Sequence, residues 1–196
     1  MKKKKRFSKP PCIFKIDISL KTYKLLLRDF RDSVPKEMSY FYFDTDENSE
    51  KAEFLNADVR LRLRVKKARY TLELKNKAVY PLREFSQELT LMSLRLIFRG
   101  TVPSGIIRQQ LLELGLSDRI LWVGCTQSTR IKRNFYDGVL VLDKTTHVYQ
   151  VHYSVEFRSY QSISRHKILL LKRELNIPPS YNLFTSKLKH FWASKI

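Results

Sequence analysis

The chain of 196 residues has only two cysteines, Cys12 and Cys125. Two isolated cysteines make neither a disulfide framework nor a thiolate metal site, and a reducing, cytosolic setting is the simplest expectation. Five scattered glycines leave no glycine-rich phosphate loop. No apolar run approaches the length of a membrane span. The opening, MKKKKRFSKPPCIFKIDISL, is basic like a signal peptide, but Lys9, Lys15 and Asp17 interrupt the place of its apolar stretch. His147, His152, His166 and His190 lack metal-ligand spacing. Acid is also scarce: 19 Asp and Glu face 38 Lys and Arg, a net charge of +19. A surface of that sign attracts anions, whether nucleic acid, phosphorylated metabolites or anionic lipid.

What is present suffices for a folded domain. Apolar residues make up 43% and aromatics 12%, which excludes a wholly disordered chain. Residues 1–11 carry Lys2, Lys3, Lys4, Lys5, Arg6 and Lys9 with no acid, and read as a disordered basic arm. The remainder, 12–196, reads as one domain. Strands are expected at 12–18, 39–45, 58–66, 70–77, 82–90, 120–134 and 148–158, with a further one after the Asp137-Gly138 turn. Helices are expected from Ser19 as cap through Phe30, over 104–114, over 164–177 and near the C-terminus. The acidic stretch from Asp44 to Asp58 reads as a loop. This is an α+β pattern with hairpin connections.

The middle of the chain alternates strictly. In DVRLRLRVK, Arg60, Arg62, Arg64 and Lys66 share one face, opposite Val59, Leu61, Leu63 and Val65. YTLELKNK repeats the alternation with Glu73 and Lys75, and LREFSQELT with Glu84, Ser86 and Glu88. The apolar faces need a cover of helices. The charged faces are then either open to water or enclosed around a wet cavity.

Taken in order, YFYFDT, LRLRVKKARYTLELK, REFSQEL, STRIKRN, GVLVLD, YSVEF and TSKLKHF resemble the strands and last basic helix of the CYTH superfamily, the triphosphate tunnel metalloenzymes. The likeness is closest to its small single-domain bacterial members. It implies a closed eight-stranded antiparallel β-barrel, or tunnel, with flanking helices. It also implies a triphosphate-containing ligand and hydrolysis dependent on a divalent metal, Mg²⁺ or Mn²⁺. On matching positions, Arg62, Arg64, Lys75, Arg130 and Lys187 are the implied phosphate contacts. Glu84 and Glu156 are the implied catalytic carboxylates, and with Asp143 the implied metal ligands.

The sequence departs from the family's pattern at its acids. Where the first strand carries E-x-E-x-K, this chain has Lys15, Asp17 and Ser19. Where a late strand carries E-x-E-x-E, it has Ser154, Glu156 and Arg158, and His190 stands at an arginine position. A cation near a metal site disfavours the ion by about 4 kcal/mol per unit charge at 4 Å and an effective dielectric of 20. The anion-binding half of the pattern is thus kept better than the metal-binding half. Two further readings stand beside the hydrolase: a catalytically weak module that holds a polyphosphate or nucleotide, and a basic protein that binds RNA or other nucleic acid nonspecifically through its arm.

Overall fold

The computed structural model describes residues 12–48, 50–79, 83–147, 150–159, 161 and 164–177. The basic arm, Lys187, His190 and the expected C-terminal helix lie outside the described residues. The elements are β1 (Cys12–Ile18), α1 (Leu20–Leu27) with a 3-10 turn (Arg28–Phe30), β2 (Lys36–Asp44), α2 (Glu53–Asn56), β3 (Val59–Lys66) and β4 (Arg69–Asn76). They continue as β5 (Arg83–Glu88), α3 (Leu91–Phe98), α4 (Ile106–Glu113), β6 (Leu121–Phe135), β7 (Gly138–His147), β8 (Gln150–Ser159) and α5 (Arg165–Glu174).

The strands form one eight-stranded sheet in the order β1-β8-β7-β6-β2-β3-β4-β5. The expected closed barrel is therefore corrected: the sheet is open. Closure requires the two end strands to exchange backbone hydrogen bonds. β1 instead pairs antiparallel with β8, and β5 with β4. β5 is six residues long and carries Arg83, Glu84 and Glu88, the kind of short charged edge that deters further pairing.

The chain divides into two compact units. The first holds β1, α1, β8 and α5, the second β2–β5 and α2–α4; β6 passes between them after Ser128 and β7 after Thr145. In the first unit, Phe14, Ile16 and Ile18 of β1 pack with Leu140, Leu142, Val155 and Phe157, under Tyr23, Leu26 and Leu171 of the helices. In the second, Leu61, Leu63, Leu72 and Leu74 pack against Phe54, Ile97, Ile107 and Leu111. Each alternation thus buries its apolar half under helices, as the period of two requires.

Local chemistry explains the helix boundaries. Ser19 Oγ accepts from the Thr22 N–H at 3.1 Å and starts α1. Thr90 does the same for α3 through the Ser93 N–H at 3.1 Å. α3 is absent from the periodicity reading, because Leu91, Met92, Leu96 and Phe98 are apolar yet exposed and blur its stripe. The acidic stretch read as a loop contains α2. Buried Asp44 there accepts from the backbone N–H groups of Thr45 (2.8 Å), Phe54 (3.0 Å) and Leu55 (3.0 Å). The aspartate of the YFYFDT stretch therefore holds a helix start in place.

Candidate functional site

In the second unit, the register sets Arg60 opposite Lys75, Arg62 opposite Glu73 and Arg64 opposite Thr71 across β3 and β4. Lys75 in turn faces Glu84 on β5, and Tyr42 faces Arg62 from β2. The cations and carboxylates so fall in rows on one face. Arg62 donates from Nε to Glu73 Oε2 at 2.8 Å, and its Nη2 lies 2.6 Å from the same oxygen. Arg64 Nη1 lies 3.0 Å from Glu73 Oε1. Arg62 also stacks its guanidinium 4.4 Å from the Tyr40 ring centre. Lys75 Nζ donates to Glu84 Oε1, whose side chain is half-exposed.

Charge and burial set the electrostatics of this face. Burial pushes the Lys75 ammonium below its ordinary value, and Arg62 pushes it further, against the pull of Glu84 and Glu73. For Arg62 burial acts in the same downward sense, but Glu73, Tyr42 and Tyr40 outweigh it and hold the guanidinium's pKa above its ordinary value. Arg60 is 7% exposed, and its Nε and Nη2 have no hydrogen-bond partner. It shared the alternation with its neighbours, yet nothing in the resemblance marked it.

The first unit holds a cluster of its own residues. Arg130 grips Asp143 with two bonds, Nε to Oδ1 at 2.7 Å and Nη2 to Oδ2 at 2.6 Å. Lys15 Nζ lies 4.0 Å from the same carboxylate. Glu156, buried on β8, lies opposite Lys15 in register and takes Arg158 Nη2 at 2.6 Å. Burial lowers the Lys15 pKa; Asp143 and Glu156 pull it back up, and Arg130 opposes them. Lys15 and Arg158 are the two cations that stand where the family's signatures carry acids. The structure places both against carboxylates of the implied metal set, Asp143 and Glu156.

Of the implied site residues, Arg62, Arg64, Lys75 and Glu84 come together in the second unit, and Arg130, Asp143 and Glu156 in the first. Lys187 lies outside the described residues. Among the described residues, the donor set does not fit a resident divalent ion. Asp143 is gripped by Arg130, Glu156 by Arg158, Glu84 by Lys75 and Glu73 by Arg62 and Arg64. Among the described residues, no group of three His, Cys, Asp or Glu side chains could hold a metal. Cys125 is a half-buried free thiol. No described helix is long and apolar enough to cross a membrane.

No family model matches the chain. A Bacillus subtilis (strain 168) protein named "Putative triphosphatase YjbK" is 31% identical over 137 residues, which cover 69% of this chain and 66% of that relative. The matched part thus spans about two thirds of the relative's length. Among solved structures, a "putative adenylate cyclase" from Bacillus halodurans superposes with a TM-score of 0.74 at 23% identity, covering 91% of this chain and 95% of its own. The Hippeastrum protein HpAC1, described as having a dominant triphosphatase activity, superposes with a TM-score of 0.72 at 21% identity over 93% of this chain and 95% of its own. At these identities the two structures share the fold.

Proposed function

The chain belongs to the CYTH superfamily of triphosphate tunnel proteins, and on that premise we propose that it binds a triphosphate-containing compound and hydrolyses it as a triphosphatase. The observation that supports this reading best is the convergence of Arg62 and Arg64 on the two oxygens of Glu73. Two guanidiniums that hold a carboxylate between them hold phosphate oxygens in the same manner, and a polyphosphate brings more charge to the exchange. Lys75 adds a point charge in the next row. Arg130 and Lys187 remain candidates for further contacts. These cations neutralise the charge that develops as the terminal phosphoryl group departs. Glu84 is the accessible carboxylate suited to orient the attacking water, and Glu156 is the second candidate. The names given to YjbK and HpAC1 supply the reaction class.

The engagement of every candidate carboxylate by a cation favours a second reading, a module that holds the triphosphate without turning it over. Phosphate release from tripolyphosphate and from ATP, measured in EDTA, in Mg²⁺ and in Mn²⁺, separates the two. Release that disappears in Glu84→Gln or Glu156→Gln supports the hydrolase. Saturable binding without release under every condition supports the module. Neither binding nor release overturns both.

A further inference from the structure

Three arginines lie on the polar face of β3, and they are not equivalent. Arg62 and Arg64 share Glu73 as counter-ion. Arg60 has none. It is 7% exposed, and neither its Nε nor its Nη2 meets a hydrogen-bond acceptor. Two carboxylates lie in its surroundings, Asp58 and Glu84, but Lys77 lies 3.7 Å from Asp58 and Lys75 engages Glu84. Its cross-strand neighbour is another cation, Lys75. A buried guanidinium without an anion, set beside an ammonium, is costly to fold. The arrangement makes sense when an external anion completes it.

From this we infer that Arg60 and Lys75 form an anion subsite of their own, which takes an additional phosphoryl group of the polyphosphate chain that the proposed function places on this face. Residues i and i+2 of a strand stand about 6.7 Å apart, so Arg60 reaches a phosphoryl unit beyond the one gripped by Arg62 and Arg64. Arg60 donates to it in a fork, and Lys75 turns from Glu84 to share it. Unlike Arg62 and Arg64, Arg60 gives up no carboxylate on binding. The subsite therefore confers a preference for longer phosphate chains. The inference rests on the functional reading above.

Calorimetric titration in EDTA with tripolyphosphate, pyrophosphate and orthophosphate tests it, on the full chain and on Arg60→Met and Arg60→Lys. The wild type is expected to prefer tripolyphosphate to pyrophosphate. Arg60→Met is expected to weaken tripolyphosphate binding about tenfold and to abolish the preference, the loss of one charge-assisted contact. Its Tm without anion is expected to equal or exceed that of the wild type, because an uncompensated buried charge has gone. Arg60→Lys is expected to fall between. Unchanged affinity and chain-length preference in Arg60→Met overturn the subsite and leave the functional reading standing. Wild type that binds none of the three anions overturns that reading and the subsite with it. Should Arg60→Met fail to fold, the guanidinium is a structural requirement of the apo protein and the subsite is overturned, unless Arg60→Lys folds and loses the preference for tripolyphosphate.

Discussion

On the proposed function Glu73 occupies the place that a phosphate takes, so it both stabilises the unliganded face and competes with the ligand. Glu73→Gln leaves two partly buried guanidiniums without their counter-ion. The expected cost is about 3 kcal/mol of stability, measured by urea unfolding without phosphate. The same variant is expected to bind tripolyphosphate more tightly than wild type; weaker binding would show that Glu73 positions the arginines rather than blocking them. Lys75 carries a pH prediction. Its folded pKa lies below the ordinary 10.5, through burial first and Arg62 second. Between that lowered value and 10.5 the unfolded chain binds more protons, so the penalty Lys75 imposes at lower pH is relieved as pH rises through the window. For the ligand the sign reverses, since the lost proton is a lost cation. Tripolyphosphate affinity, followed from about pH 8 to about pH 11, is expected to fall before 10.5, and Lys75→Met to flatten that fall. The facing of these residues was legible from alternation alone. Which cation takes which carboxylate was not, because that depends on the exact register of each hairpin and on the side-chain rotamers that alternation leaves open.

At the scale of elements, the β3–β4 hairpin turns through Lys67 (φ 48°) and Ala68 (φ 56°), with Lys66 paired to Arg69. Both turn residues lie in the left-handed region, where a side chain is strained and Asn-Gly is preferred. The double change Lys67→Asn and Ala68→Gly is expected to stabilise the protein by about 1–2 kcal/mol, seen as a higher urea midpoint at unchanged slope. The β6–β7 turn is constrained otherwise. A Cβ on Gly138 would stand 2.2 Å from the Arg158 carbonyl oxygen and 2.7 Å from the Phe157 ring. Backbone cannot yield there as a flexible side chain could. Gly138→Ala is expected to cost about 2–4 kcal/mol, read as a lowered Tm. The sequence marked the β6–β7 turn by Asp137-Gly138, whereas Lys67-Ala68 carries no such residue type. It did not mark α2, because a four-residue helix has too few positions for a stripe, and its start is secured by Asp44 from nine residues upstream of Glu53.

At the scale of the molecule, the charge of +19 dominates. Self-repulsion opposes the compact state and is screened as the Debye length shrinks from about 30 Å at 0.01 M salt to about 8 Å at 0.15 M. Raising salt over that range is expected to raise Tm without phosphate and to weaken tripolyphosphate binding; a Tm that falls would place the excess charge where it is already compensated. Composition and alternation by themselves determined that the chain folds as α+β, that its strands put cations on one face, and that its net charge attracts anions. These follow from local physics: the two-residue period of a strand and the sum of formal charges. Only the tertiary structure decided that the sheet stays open, that Lys15 and Arg158 lie against Asp143 and Glu156, and that among the described residues Arg60 alone of the β3 arginines has no counter-ion. An open and a closed sheet share the same side-chain period, and an ion pair is a matter of distance across strands, which no single stretch of sequence contains.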